Sequence, residues 1–346
     1  MLPDGVLSDG VGEEDAGTAV AVADANVAAE TPKPPTPEGE GVRPEDAKQY
    51  WVPDAGPEAP EGDRPPLMQA PLSLNPDDHY WFIRPVPSGS RNYDLEWYPF
   101  GNDVLRPDIG PYRIHHGLDF PNETGTPILA LADGVVVHAG VLPSPRDGVN
   151  YYGNTVVIRH DWQWQGKDVY TLYAHTLELF VQEGDHVEQG QLIAGVGSSG
   201  EVSGPHVHIE VRVGNNIYGD ARNPALWLVP FEGWGTIAGR FVDKNGRFIT
   251  GAPVTIKPVN VETAVRTQLT YAAVVQSDDV WRENFVVADL PAGKYEVQLT
   301  GIDNIRYERD IEVYPGQTSF VIISTNFEFT PPPTPVPSAT PEEGDR

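Results

Sequence analysis

Between about residues 78 and 326, apolar residues come in short runs of Val, Ile, Tyr and Phe that alternate with polar ones. Gly, Asn and Asp cut the runs every few residues. This is the pattern of many short strands, each burying one face. The spacing predicts strands over 134–140, 154–160, 168–175 and 207–213, with turns or loops at Glu183-Gly184-Asp185 and over 195–204. No segment sustains an apolar period of about 3.6 residues, so no long amphipathic helix is predicted. A second block starts near Gly233-Trp234-Gly235, and its Asn245-Gly246 pair predicts a tight hairpin turn. The expected fold class is mostly β.

The two ends depart from this pattern. Residues 1–77 are acidic and proline-rich, too poor in apolar side chains to offset the entropy of ordering, which predicts a disordered region. Residues 327–346 form a Pro/Thr-rich tail, in which 330–341, built mainly of Pro, Thr, Ser and Ala, predict an extended spacer. Over all 346 residues, 50 acidic side chains against 23 Lys plus Arg give a net charge of -27. A surface of that sign repels phosphate backbones, so nucleic acid is not an expected partner. The absence of cysteine excludes disulfides, iron-sulfur clusters and thiolate zinc sites, leaving His, Asp and Glu to hold any metal. No apolar run approaches the roughly 18 to 20 residues that span a bilayer, and the first 30 residues lack both the basic start and the apolar core of a signal peptide. No membrane-spanning segment or export signal is read here.

The chemistry-bearing residues are the histidines. All nine fall between His79 and His208, and the second block has none. In Gly204-Pro205-His206-Val207-His208-Ile209-Glu210-Val211, strand alternation sends His206, His208 and Glu210 to one face and the three apolar residues into a core. Glu210 reads either as a partner that orients a metal ligand or as a solvent-facing carboxylate. In His115-His116-Gly117-Leu118-Asp119, His115 and Asp119 stand four apart, roughly 13 Å if extended. Ligands of one zinc ion lie only about 3 to 4 Å apart, so the chain must bend between them, and Gly117 makes the bend easy. A His, a carboxylate and a second His make a three-ligand tetrahedral site with an open fourth position, the arrangement of catalytic zinc. Tyr170-Thr171-Leu172-Tyr173-Ala174-His175 ends in a histidine that spacing alone leaves unassigned. His79, His138, His160 and His186 read as ordinary hydrogen-bonded side chains.

In combination these motifs resemble the lysostaphin-type, or LytM-like, zinc endopeptidases that cut peptide bonds in bacterial cell-wall peptidoglycan. The resemblance rests on His-x-Gly-x-Asp at His115, Gly117 and Asp119, on Tyr173-Ala174-His175, and on Gly-Pro-His-x-His from Gly204 to His208, in the family's order. It runs from about His79 to Val213 and implies an antiparallel β-sheet domain of the lysostaphin-type peptidase fold over 78–232. It further implies that His115, Asp119 and His208 bind one Zn2+ per chain and that His175 and His206 are the catalytic pair. One of the pair takes a proton from water and the other steadies charge or serves the leaving amine; the letters do not assign which. His116 is expected to point elsewhere. The implied activity is a zinc metalloendopeptidase acting on peptidoglycan stem or cross-bridge peptides, outside the cell or in its envelope. The competing reading is a non-catalytic peptidoglycan-binding protein or an activator of another wall hydrolase. Such family members usually lack some of these five residues, and this chain has all five.

Two stretches depart from the family pattern: an extra loop over 142–151, and Trp162-Gln163-Trp164-Gln165, which reads as a lengthened turn before the next strand. Both are expected to reshape a substrate groove. The stretch 181–200 also resembles the hairpin of biotinyl and lipoyl carriers, but 183–205 contains no acceptor lysine, so it reads as scaffold. Residues 235–326 resemble a carboxypeptidase-regulatory or transthyretin-like β-sandwich, and the alternation of Tyr295, Val297 and Leu299 suits a two-sheet core. Trp281 and Tyr307 read as either an adhesive surface or core.

Overall fold

The computed structural model describes residues 75–329 apart from 94, 96–97, 103–113, 146, 260, 262–265 and 302–303. The acidic N-terminal region, save residues 75–77, and the tail from residue 330 lie outside the described residues.

The first block is one antiparallel sheet of nine strands: β1 (Leu118–Pro121), β2 (Pro127–Leu129), β3 (Gly134–Val141), β4 (Asn154–Trp164), β5 (Lys167–Leu179), β6 (His186–Val187), β7 (Leu192–Val196), β8 (His206–Val213) and β9 (Ala221–Arg222). The order is β1-β8-β5-β4-β3-β6, with β7 joining β2 to β5 and β9 flanking β8. The four strands predicted from alternation are β3, β4, β5 and β8. One face of the sheet packs Val207, Ile209 and Val211 of β8 into an apolar cluster with Phe120, Val156, Ile158 and Tyr173. This burial leaves the opposite face of β8 free to carry polar groups. Helical structure among the described residues amounts to short 3-10 turns at Tyr218–Asp220 and Pro224–Leu226, and no helix is long and apolar enough to cross a membrane.

Trp162 and Trp164 do not lengthen a turn. They belong to β4, which runs on to a two-residue turn, Gln165-Gly166, with positive φ at both positions, the geometry of a tight hairpin. Their rings pack edge-on against Trp81 at 4.2 and 5.2 Å, and both also contact Trp227. The added length therefore extends β4 into an aromatic cluster with Trp81 and Trp227, and the reading of it as a lengthened turn is corrected.

The second block holds β10 (Trp234–Val242), β11 (Pro253–Pro258), β12 (Arg266–Leu269), β13 (Phe285–Pro291), β14 (Gly293–Thr300), β15 (Arg306–Val313) and β16 (Thr318–Ser324). They form a three-stranded sheet, β13-β10-β16, and a four-stranded sheet, β12-β11-β14-β15; the pairing of β10 with β16 is parallel and the rest are antiparallel. Ile237, Phe241 and Phe285 from the first sheet share one apolar cluster with Val254, Ile256, Val297 and Leu299 from the second. Trp281 is buried and belongs to the interior, whereas Tyr307 is half-buried with its ring packed on Phe241.

The blocks are joined by buried polar pairs. Arg84 makes a two-pronged contact with Asp289 at 2.6 and 3.2 Å, Tyr80 Oη lies 2.6 Å from Thr318 Oγ1, and His79 pairs with Asp278 at 3.1 Å. The desolvation of the charged pairs offsets much of their attraction, while losing one partner of Arg84–Asp289 would strand a buried charge.

Candidate metal centre

The pairing of β1 with β8 explains how distant residues meet. Asp119 sits directly opposite His208 in register, and His208 in turn lies opposite Ala174 on β5. Opposed residues in an antiparallel pair project to the same face a few ångströms apart. The chain before β1 then folds back to add His115. Gly117 is needed for that close approach: a Cβ there would lie 2.3 Å from the Ile209 carbonyl oxygen and 2.6 Å from the His208 ring.

Three donor atoms converge. His115 Nε2 is 3.1 Å from Asp119 Oδ1 and 3.1 Å from His208 Nδ1, and His208 Nδ1 is 2.7 Å from Asp119 Oδ1. All three residues are buried. A triangle of two imidazole nitrogens and a carboxylate oxygen at these separations points three lone-pair donors at one small volume. Protons can bridge some of its edges, whereas a divalent cation satisfies all three donors together. The donor set and spacing fit tetrahedral zinc with one position left over.

Electrostatics bear on the same group. Burial opposes the Asp119 carboxylate, but the His115 charge and hydrogen bonds from His115 and His208 hold it well below its usual range. Burial would lower His208, yet hydrogen bonds to Asp119 and Glu210 and the charges of both push it up to about 9. On its far side His208 Nε2 faces Glu210 Oε1 at 3.3 Å. Glu210 is fully buried, so its reading as a solvent-facing carboxylate is corrected. Arg212 at 2.7 Å and Tyr152 Oη at 2.6 Å complete its shell. Against its burial, chiefly the Arg212 charge keeps Glu210 ionised, well below the ordinary carboxylate range.

His175 and His206 flank the triangle, their rings 4.7 Å apart. His206 Nε2 lies 3.6 Å from Asp119 Oδ1, and the His175 ring is 5.9 Å from that of His208. His175 occupies the point where β5 changes partner, from β8 at Ala174 to β7 at Thr176. Its φ of 62° is left-handed, a strained state for a residue with a Cβ. Two bonds hold it there: its backbone N–H donates to the Tyr152 carbonyl at 2.8 Å, and Nδ1 faces the Ser199 carbonyl at 2.9 Å. His206 Nδ1 likewise faces the Gly204 carbonyl at 2.9 Å. Burial lowers both imidazoles, and His175 falls to about 3 because the His208 and His206 charges add to its desolvation. His116 points away, with Nδ1 on the Ile114 carbonyl and its ring against Tyr218.

Four participants escape the sequence argument. Arg212 continues the two-residue period of His206, His208 and Glu210 and was findable by extending it. Tyr152, the Ser199 carbonyl and Tyr98, whose ring stacks on His115 at 3.8 Å, give no local signal.

Comparison with known proteins bears on this region. The family model "Peptidase family M23" matches residues 113–224, under half of the chain. A "DD-carboxypeptidase/endopeptidase Mpg" of Neisseria meningitidis is 39% identical over 132 residues, which are 38% of this chain and 26% of that protein. A "Peptidoglycan DD-endopeptidase ShyC" of Vibrio cholerae is 37% identical over 123 residues, 35% of this chain and 25% of that protein. The chain thus spans about a quarter of the length of these curated relatives. Among solved structures, the catalytic domain of the peptidase lysostaphin from Staphylococcus simulans is 28% identical, with 37% of this chain and 86% of that chain covered and a TM-score of 0.32. The family model identifies residues 113–224 as a stretch similar to the M23 peptidases, and the curated relatives that the chain resembles over part of its length are named as a DD-carboxypeptidase/endopeptidase and a peptidoglycan DD-endopeptidase.

Proposed function

We propose that this chain is a zinc metalloendopeptidase that hydrolyses peptide bonds in peptidoglycan stem or cross-bridge peptides. The observation that carries the reading is the triangle of His115 Nε2, Asp119 Oδ1 and His208 Nδ1, mutually 2.7 to 3.1 Å apart, with two further imidazoles beside it. Zinc, when bound, supplies Lewis acidity that polarises a carbonyl and acidifies water. His115, Asp119 and His208 hold the ion, and Glu210 orients His208 through Nε2.

His175 and His206 carry the proton transfers. Each spends its Nδ1–H on a backbone carbonyl, which leaves Nε2 as a bare lone pair on a neutral ring at pH 7. A neutral imidazole accepts a proton from attacking water and returns it to the departing amine. The wall polymer as substrate is carried over from the relatives' names, and with it a location outside the cell or in the envelope. The two-sheet block over 235–326 is read as the regulatory, transthyretin-like sandwich of the sequence argument, supported by its two sheets around one core.

The test is digestion of purified sacculi of several cross-link chemistries, with mass analysis of soluble fragments. Peptide fragments released by the wild type and not by His208→Ala are expected. Stoichiometric zinc with no release from any wall type would instead mark a non-catalytic binder.

A further inference from the structure

The second block reaches the metal centre through a short strap. His115 has both backbone groups tied to it: Gly101 N–H donates to the His115 carbonyl at 2.7 Å, and His115 N–H donates to the Asn102 carbonyl at 3.1 Å. The other side of the strap is fastened to the two-sheet block. Asn102 Oδ1 accepts from Leu269 N–H at 2.9 Å, Asn102 Nδ2 donates to the Leu269 carbonyl at 3.1 Å, and Ala272 N–H donates to the Gly101 carbonyl at 2.8 Å. Tyr271 closes the contact. Its ring lies where a Gly101 Cβ would go, 2.6 Å from that position, and its hydroxyl bridges Asn223 at 2.8 Å and Glu283 at 3.0 Å. Gly101 has a φ of +78°, so both its backbone state and the space around it suit glycine.

We infer that the C-terminal two-sheet block is a structural part of the metal centre, and that Asn102 is a positioning residue that sets His115 for metal binding. Register alone places Asp119 and His208, because β1 and β8 pair within the first block. His115 precedes β1 and has no strand partner of that kind; its backbone partners are strap residues that Leu269, Tyr271 and Ala272 hold from the other block. Tyr98, on the same strap, stacks its ring on the His115 imidazole. Cutting the strap from the block lets His115 wander while leaving two of the three donors in place. The inference rests on the zinc reading of the site.

The experiment measures zinc affinity of the full chain by competition with a chromophoric chelator, and the visible spectrum of the cobalt-substituted protein. The variants are Asn102→Ala and Gly101→Ala, with Val297→Ala as a control that loosens the core of the block away from the strap. Either strap variant is expected to bind zinc about tenfold or more weakly and to alter the cobalt spectrum, the scale seen for groups that orient metal ligands. Folded Val297→Ala is expected to bind like the wild type. Two independent strap variants keep the test open should one fail to fold. Wild-type affinity in folded Asn102→Ala or Gly101→Ala, or equal weakening in Val297→Ala, would overturn the inference while leaving the zinc reading intact. A wild type that binds no zinc would overturn the zinc reading itself.

Discussion

Glu210→Gln probes whether the carboxylate behind His208 orients it or merely fills space. Glu210 receives three groups: Tyr152 Oη and His208 Nε2 on Oε1, and Arg212 on Oε2. A glutamine has one acceptor oxygen and one NH2 at those positions. Turned toward His208, its oxygen keeps that contact while its NH2 confronts the Arg212 donors; flipped, it satisfies Arg212 and repels His208. One contact is lost either way, and Arg212, itself buried, loses its countercharge. Breaking a buried ion pair from one side costs about 3 to 5 kcal/mol when the partner is stranded. Glutamine retains one polar contact, so about 2 to 3 kcal/mol of stability should go. Zinc affinity should fall by about 10- to 100-fold, or roughly 1.4 to 2.7 kcal/mol. Urea unfolding with chelator present reads the first quantity, and chelator competition reads the second. The double variant Glu210→Gln with Arg212→Met removes the stranded charge, so stability should recover while affinity stays low. Affinity that recovers together with stability, or a single variant that changes neither, would refute the orienting role.

His175→Ala and His206→Ala should each keep bound zinc and lose about 10²- to 10⁴-fold in peptide release, checked by metal analysis beside fragment yield. Gly117→Ala should disrupt the site by driving a methyl into the Ile209 carbonyl and the His208 ring, with overpacking of about 1 to 3 kcal/mol and loss of stoichiometric zinc. Glu283 is raised to about 8 chiefly by burial, then by the Asp278 charge. With a folded pKa above the unfolded one, its stabilisation is full below about pH 4.5 and fades as pH rises toward 8. Urea midpoints of the wild type should therefore fall over that window relative to Glu283→Gln, and parallel curves would contradict the burial argument. Chelation should silence hydrolysis without unfolding, because His115, Asp119 and His208 lie on or beside a sheet that has its own apolar core; a cooperative loss of circular dichroism would mark a structural ion instead.

The parts of the molecule that could be read from sequence are those encoded at short range. Alternation along β8 revealed that His206, His208 and Glu210 share a face, because a strand repeats every two residues. The bend between His115 and Asp119 followed from the size of a metal site, and Gly117 supplied the means. Trp162 and Trp164 were misread although Trp-Gln-Trp-Gln keeps the two-residue alternation of the preceding strand; the following Gly166 drew the turn forward, and no partner was in view to bury the rings. That partner, Trp81, lies on a segment with almost no pattern of its own. The joint was illegible for the same reason: Arg84 and Asp289 are 205 residues apart, and neither stands in a motif. The burial of Glu210 likewise depended on Tyr152, which comes from a loop 58 residues away.

Zinc K-edge X-ray absorption on the full chain loaded with one equivalent of zinc tests the centre most directly. The account expects only nitrogen and oxygen neighbours at about 2.0 to 2.2 Å, a signature of two imidazoles, and loss of one imidazole in His115→Ala and in His208→Ala. A spectrum indifferent to both substitutions, or one showing four protein ligands around the ion, would contradict it.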